Sequence, residues 1–150
     1  MEAEQLNTQN ESRTHNYFYD KVVVVTGATS GIGRALVHFY LNSGAKVGFC
    51  GTNVGELKKM GAKFKSRYPG RSMAVIANLT NRKDCVTLHK AVTSYFANRV
   101  DILINCAGKI LAGDIESTTP QDYDELVALN LKAPFVLSQL FFPNLKLTKG

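Results

Sequence analysis

Apolar residues along the chain follow two spacings in turn, one typical of buried strands and one typical of helices. Val22–Val25 is a run of four β-branched residues with no polar alternation, which predicts a strand buried on both faces of a parallel sheet. Behind a glycine-rich turn, apolar residues recur at three- and four-residue spacing. This predicts a helix whose buried face carries Ile32, Ala35, Leu36 and Phe39. The first predicted unit is therefore a strand, a turn and a helix.

The same alternation continues along the rest of the chain. After a helix stop at Gly44 it predicts strand 45–50, helix 54–68, strand 73–77, a helix marked by Leu88, Val92 and Phe96, and strand 100–104. A long helix then starts at Thr119-Pro120 and runs to about residue 142. Strands that alternate with helices predict an α/β domain built on a parallel sheet, and 150 residues are enough for one such core.

Polar residues and prolines are predicted to shape two of these helices. Asn53, with Glu56 three residues later, is typical of a capping box at the start of helix 54–68. Pro134 lies inside the long helix and should bend it, because the carbonyl of Asn130 loses its helical hydrogen-bond partner.

The chain is basic, with a net charge of +6, and the basic residues are concentrated in one region. No acidic residue interrupts the series Lys58, Lys59, Lys63, Lys65, Arg67, Arg71, Arg82 and Lys83. The series is typical of a solvated helix face, and a positive field beside a bound phosphate is the alternative. We expect no nucleic-acid partner, because neither a recognition-helix pattern nor a pattern of stacking aromatic residues accompanies the charge.

Cysteine usage and the chain start indicate the compartment and the domain boundary. Cys50, Cys85 and Cys106 form no Cys-x-x-Cys pair, so we expect no metal site and a reducing, cytoplasmic environment. No run of 18 apolar residues is present, so we expect no membrane span. Residues 1–20 are interpreted as a disordered polar extension that lacks the features of a signal peptide, and residues 21–150 as the domain.

The glycines between the first strand and its helix suggest a binding function. A strand, a glycine-rich turn and a helix hold the pyrophosphate of a dinucleotide, since free N–H groups and the positive end of the helix dipole face the phosphate charge. In this hypothesis Gly27 makes the tight turn, Gly31 lets the backbone approach phosphate, and Gly33 lets the helix pack on the strand. A turn with a purely structural role is the alternative.

The segment from Thr26 to Gly33, Thr-Gly-Ala-Thr-Ser-Gly-Ile-Gly, resembles the cofactor motif of the short-chain dehydrogenase/reductase family. Asn105-Cys106-Ala107-Gly108 resembles the Asn-Asn-Ala-Gly of that family, with Cys in the second place. The resemblance implies a three-layer Rossmann-type, doubly wound parallel sheet and hydride transfer between NAD(P)(H) and a carbonyl or alcohol carbon. The cofactor-binding residues it implies are Thr26, Gly27, Ser30, Gly31, Ile32, Gly33, Thr52, Asn53, Asn78, Leu79, Asn105, Ala107 and Gly108.

The coenzyme choice depends on the end of the second strand, where an acidic residue would bind the ribose 2′-hydroxyl and repel a 2′-phosphate. The resemblance places Gly51 there and Thr52 at the position that is often Arg in NADP-using members. NADP(H) is therefore favoured over NAD(H), although the usual Arg is absent. Asn78 stands where the family usually has Asp; its amide could accept from the adenine amine, or it could be a turn residue.

Asn130 matches the helix Asn of the family, and the resemblance implies a catalytic role in which it holds a water that links the catalytic lysine to solvent. The alternative is a buried amide that stabilises the bend at Pro134. Family members continue with a catalytic Ser and a Tyr-x-x-x-Lys, neither of which this chain contains in the matching place. Tyr17 and Lys21 have that spacing, but they precede the first strand and we interpret the match as a coincidence.

These departures lead us to expect a sheet truncated after its fourth strand and the following helix. Such a chain would bind the dinucleotide and would be inactive alone, so whether it acts as an enzyme stays open. A ketone or secondary alcohol would bind only together with the C-terminal part. The alternative is a non-catalytic nucleotide-binding or partner-binding protein, and the uncovered 120–142 helix could form a homo-oligomer.

Overall fold

The computed structural model describes residues 17–150. Residues 1–16 of the predicted extension therefore lie outside the described residues. Residues 17–20, which the prediction also assigned to the extension, contact the domain. The Asp20 N–H donates to the Gly44 carbonyl over 3.1 Å, and the ring of Phe18 packs edge-on against Phe39 and Tyr40.

Four parallel strands form the sheet. They are β1 (Val22–Val25), β2 (Lys46–Gly51), β3 (Ser72–Ile76) and β4 (Ile102–Ile104), in the spatial order β3-β2-β1-β4. β1 pairs with β2 and β4, with Val23 opposite Val47 on one side and Ile102 on the other. All four valines of β1 are buried, as the uninterrupted β-branched run predicts for a central strand. Among the described residues, β4 has a strand on one side only.

Helices cover both faces of the sheet. They are α1 (Gly31–Asn42), α2 (Val54–Arg67), α3 (Arg82–Tyr95), α4 (Pro120–Val127), and α5 (Ala133–Thr148), with a π-helical turn, Ala128–Lys132, between the last two. On one face Val23 and Val25 pack with side chains of α1 and α2; on the other, Val22 and Val24 pack with α3 and α5. The result is the predicted three-layer Rossmann-type arrangement.

The predicted buried face of α1 is wrong for Ile32, Ala35 and Phe39, which are exposed, whereas Leu36 is half-buried against the core. Ile32 is 73% exposed and Phe39 is 46% exposed, whereas Gly33, Val37 and Leu41 are buried. Both stripes have helical spacing, so periodicity alone does not separate them. The close approach of Gly33 to the end of β1 decides which stripe is centred on the sheet.

The long C-terminal helix differs from its prediction in two ways. First, the helix has a widened turn just before Pro134, where the Ala133 N–H donates to the Ala128 carbonyl five residues back. Second, the helix continues past Pro143 to Thr148. By length and composition alone, the segment Pro120–Thr148 could cross a membrane. Burial of Leu137 and Phe141 in the core shows that its apolar residues also serve packing on the sheet.

Candidate functional site

A cleft of about 460 Å³ opens at the carboxyl ends of the parallel strands. In an open α/β sheet this end is where ligands bind, because helix N-termini and the loops after the strands meet there. The cleft is lined by Gly27, Thr29, Ser30, Gly31, Ile32, Gly33, Cys50, Gly51, Thr52, Ala77, Asn78, Leu79, Cys106, Ala107, Gly108 and Leu129.

Each of the three glycines after β1 is required for a different structural reason. Gly27 and Gly31 have φ of +65° and +47°, a region that L side chains rarely adopt. A Cβ on Gly31 would meet no atom within 4 Å, so that backbone is bare toward the cleft. A Cβ on Gly33 would come within 2.8 Å of the Gly27 carbonyl carbon, so only glycine lets α1 start this close to β1.

The start of α1 supplies hydrogen-bond donors and positive potential to the cleft. Ser30 is the N-cap and has extended backbone, but its side chain forms no capping hydrogen bond. The first turn contains no acidic residue. The N–H groups at the start of α1 are therefore available to an anion, and the helix dipole favours negative charge there.

Thr26 holds the loop after β4, whose residues Cys106, Ala107 and Gly108 form one wall of the cleft. Its side chain is buried, and its Oγ1 accepts from the N–H groups of Cys106 and Ala107, each over 2.9 Å. A Cβ on Gly27 would come within 2.8 Å of the Ala107 Cα, so the loops after β1 and β4 are in close contact. Thr26 thus shapes the site through hydrogen bonds and does not line the cleft itself.

At the end of β2, Gly51 packs directly on Thr29 in the glycine-rich loop after β1. A Cβ on Gly51 would come within 2.7 Å of Thr29 Cγ2. Thr52 lines the cleft, while Asn53 is the N-cap of α2 and accepts from the Glu56 N–H over 3.1 Å. A full capping box would also have the Glu56 side chain accept from the Asn53 N–H. Among the described residues the Glu56 carboxylate pairs with Arg34 and Lys59 instead.

Asn78 lines the cleft, and its side chain forms a turn. Its Oδ1 accepts from the N–H of Thr80 over 3.2 Å and from the Thr80 hydroxyl over 2.9 Å. Its own N–H donates to the Asp84 carboxylate over 2.9 Å. Asn78 is therefore a turn residue, which is one of the two roles expected for it. Asp84, which the sequence pattern did not single out, holds the backbone of Asn78.

Asn105 and Asn130 lie beside the cleft. Asn105 is exposed at the carboxyl end of the edge strand β4. Asn130 is also exposed, so it is not the buried amide of the alternative hypothesis. It accepts from the Lys109 N–H over 3.0 Å and donates to the Lys109 carbonyl over 2.8 Å, which joins the loop after β4 to the π-helical turn.

One of the cysteines that line the cleft is deeply buried. Burial raises the pKa of the Cys50 thiol to about 12, so this cysteine stays neutral and is a poor nucleophile. Over residues 17–150, no group of three or more His, Cys, Asp or Glu side chains could hold a metal ion. The cleft therefore offers backbone donors, small residues and hydroxyl groups.

The structure brings most of the predicted binding residues to one cleft and leaves Thr26, Asn53, Asn105 and Asn130 outside its lining. Sequence reasoning did not single out Thr29, Cys50, Gly51, Ala77, Cys106 and Leu129 as binding residues. All but Cys50 are next to a predicted site residue in the sequence, and Cys50 is two residues from Thr52. Leu129 belongs to the turn that Asn130 joins to the loop after β4.

A parallel sheet with a glycine-lined cleft at the N-terminus of its first helix defines a Rossmann-type NAD(P)-binding fold. The model of the short chain dehydrogenase family matches residues 21–150, so the chain belongs to this family of oxidoreductases, which bind nicotinamide dinucleotides.

Sequence relatives support the assignment over the same region. The chain is 34% identical over 133 residues to an uncharacterized oxidoreductase of Thermotoga maritima, and the match covers 89% of this chain and 51% of the relative. It is 32% identical over 126 residues to a tropinone reductase homolog of Arabidopsis thaliana, covering 84% and 47%. The chain thus spans about half the length of the curated relatives it matches.

Solved structures share the fold. The L-sorbose reductase of Gluconobacter frateurii, complexed with NADPH and L-sorbose, superposes with a TM-score of 0.80 at 24% identity over 86% of this chain and 49% of the other. A blue fluorescent protein from a metagenomic library, in complex with NADPH, gives 0.76 at 27% identity over 82% and 50%. A 3-ketoacyl-(acyl-carrier-protein) reductase of Brucella melitensis, complexed with NADH, gives 0.76 at 23% identity over 85% and 51%.

Proposed function

We propose that this chain forms the NADP(H)-binding part of an oxidoreductase that moves hydride between NADP(H) and a ketone or secondary alcohol. The observation that carries the proposal is the glycine-lined cleft, where the bare backbone at Gly31 and the uncapped start of α1 face the same space. A pyrophosphate fits this combination of donors, dipole and absent side chains. The nicotinamide supplies the hydride when it is bound; the chain binds and orients it.

The preference for NADP(H) is supported by the end of β2. Gly51 offers no carboxylate to a ribose 2′-hydroxyl, and an acidic side chain there would require Thr29 to move. Thr52, which follows it in the cleft, has a hydroxyl that can donate to a phosphate. Solved relatives hold NADPH in some cases and NADH in another, so this local chemistry is the argument for the preference.

The proton that a ketone oxygen needs would come from residues outside these 150. Tyr17 and Lys21 alone have the Tyr-x-x-x-Lys spacing. Tyr17 is exposed, and Lys21 pairs with Asp101 at the amino end of β1, the end opposite the cleft. We propose that Asn130 acts beside the catalytic groups as a water-holding residue, since its exposed amide lies next to Gly108 in the cleft wall.

The test is a titration of the 150-residue chain with NADPH and with NADH, followed by the coenzyme's own fluorescence, since the chain contains no tryptophan to interfere. NADPH should bind more tightly than NADH. A panel of ketones should give no NADPH oxidation with this chain alone. Absence of binding to either coenzyme by folded protein would refute the proposal.

A partner-binding role is the second candidate, favoured by the outward face of the long helix. Leu131, Phe135 and Phe142 are each more than 60% exposed on it. We propose a homo-oligomer through the 120–142 helix, which would cover these side chains. Light scattering should show a dimer that Phe135→Glu dissociates, and a monomer at all concentrations would contradict this role. We also propose a cytoplasmic location, supported by three free cysteines.

A further inference from the structure

We propose that Arg34 is the cation that binds the 2′-phosphate of NADP(H). In the absence of coenzyme Glu56 pairs with Arg34, and the phosphate replaces Glu56 as its partner when NADP(H) binds. The inference rests on the proposed coenzyme preference and assigns the charge that this preference needs. Neither Thr52 nor Asn53 carries a positive charge, so hydroxyl and amide groups alone would face a doubly charged phosphate.

Arg34 does not line the cleft itself, but it contacts Thr29, which does. Its Nη2 donates to the carbonyl of Thr29 in the phosphate loop and lies 3.1 Å from the Glu56 carboxylate. Thr29 is the residue on which Gly51, at the end of β2, packs directly. The guanidinium therefore lies between the loop that holds the pyrophosphate and the start of α2, beside the strand end where the 2′ substituent is selected.

The hydrogen-bonding capacity of Arg34 is not used up. A guanidinium has five N–H donors. Over the described range 17–150, Arg34 Nε is buried and has no hydrogen-bond partner. The side chain as a whole is 42% exposed, so a ligand can approach its outer edge. A buried donor without an acceptor is unfavourable, and Nε would gain an acceptor if the guanidinium turned toward a bound phosphate.

Glu56 can release Arg34 without becoming an unpaired charge. Its other oxygen, Oε1, lies 3.4 Å from the ammonium of Lys59, one helical turn further along α2. Both Glu56 pairs are partly exposed, and pairs of this kind are weak in water. A phosphate with up to two negative charges attracts the guanidinium more strongly than one carboxylate does, and it adds oxygens for bidentate bonding.

Arg34 has other cations near it on the outer side of α1 and α2. Burial lowers the pKa of His38 on α1, and the nearby Lys63, Arg67 and Arg34 lower it further. Lys63 and Arg67 belong to the second half of α2, while the cleft is lined by Gly51 and Thr52 just before the start of α2. Of these three cations, Arg34 is therefore the one assigned to the phosphate.

Two variants test the inference from opposite directions. Arg34→Gln removes the proposed phosphate partner, so NADPH affinity should fall by about tenfold or more, while NADH affinity changes by less than about twofold. Glu56→Gln removes the competing carboxylate, so NADPH affinity should rise severalfold with NADH affinity unchanged. Lys65→Gln, which removes one positive charge near the far end of α2, is the matched control and should leave the NADPH/NADH ratio unchanged.

The outcomes separate this inference from the function on which it rests. If wild-type protein prefers NADPH and Arg34→Gln keeps that preference, Arg34 is not the phosphate partner and the inference alone fails. An equal loss for both coenzymes would show that Arg34 only supports the loop, and this also overturns it. If Arg34→Gln does not fold, Glu56→Gln decides, and an unchanged ratio refutes the exchange. Failure of wild-type protein to bind NADPH would overturn both proposals.

Discussion

Gly33 lies against the carbonyl of Gly27, so closely that the first turn of α1 and the end of β1 have no room for a side chain between them. The contact fixes the angle at which α1 leaves the strand and directs its N-terminus into the cleft. It also determines which stripe of α1 is buried, since Val37 and Leu41 follow Gly33 at four-residue spacing.

Gly33→Ala and Gly31→Ala should therefore fail in different ways. Gly33→Ala forces backbone apart in a packed region, and we expect it to lower the free energy of unfolding by about 2–3 kcal/mol. Gly31→Ala meets no neighbouring atom and should cost only the left-handed conformation, about 1–2 kcal/mol, but its methyl group would stand where phosphate approaches. Urea unfolding and NADPH titration measure the two effects. A fully stable Gly33→Ala protein that binds NADPH normally would contradict the geometry.

Thr26→Val should loosen the loop after β4. The valine has nearly the same shape, but it leaves the N–H groups of Cys106 and Ala107 without their acceptor. We expect a loss of about 1–3 kcal/mol in the free energy of unfolding. Thr26→Ser keeps the hydroxyl and is the control, with a smaller loss. Equal stability of the Val and Ser variants would show that these two hydrogen bonds do not hold the loop.

Local patterns predicted the sheet and the glycine-rich turn after β1, because both depend on residues close in sequence. Four β-branched residues specify a central strand, and Gly27, Gly31 and Gly33 specify a turn in which Gly27 and Gly33 leave no room for a side chain. The errors arose where a distant contact decides. Periodicity allowed two faces for α1, and Glu56 completes a capping box unless Arg34, 22 residues away, takes its carboxylate. Asn130 likewise finds its partner, Lys109, 21 residues away.

Asp101 should make stability depend on pH. Burial alone would raise its pKa, but bonds from Arg99, the Val22 N–H and Lys21 outweigh burial and hold the pKa below its usual value. Because the folded pKa is lowered, this stabilisation is present above the unfolded pKa of about 3.9 and is lost as pH falls through the folded value.

Asp101→Asn tests this assignment. The variant keeps an acceptor for the Val22 N–H but presents an uncharged amide to Arg99 and Lys21. We expect a loss of about 2–3 kcal/mol at neutral pH, with a gap to wild type that narrows below about pH 4. Urea unfolding across the pH range measures the gap. A gap that stays constant down to the lowest pH would exclude ionisation of Asp101 as its source.

Asn130→Ala should release the loop that begins at Lys109. Both hydrogen bonds between the Asn130 amide and the Lys109 backbone would be lost, and the site is exposed, so water can replace them. We expect faster hydrogen exchange of the Lys109 amide, with global stability reduced by no more than about 1 kcal/mol. Asn130→Asp keeps the acceptor alone and should be intermediate. Unchanged hydrogen exchange in both variants would show that Asn130 does not hold the loop at Lys109.

The most direct test of the central claim is a titration of ¹⁵N-labelled protein with NADPH, followed by backbone amide chemical shifts. A dinucleotide held at the start of α1 predicts the largest shifts at Gly31 and Gly33, with further shifts at Thr52, Leu79 and Ala107 around the cleft. Folded protein that shows no shifts at these amides, or shifts only along the basic face of α2, would contradict the claim.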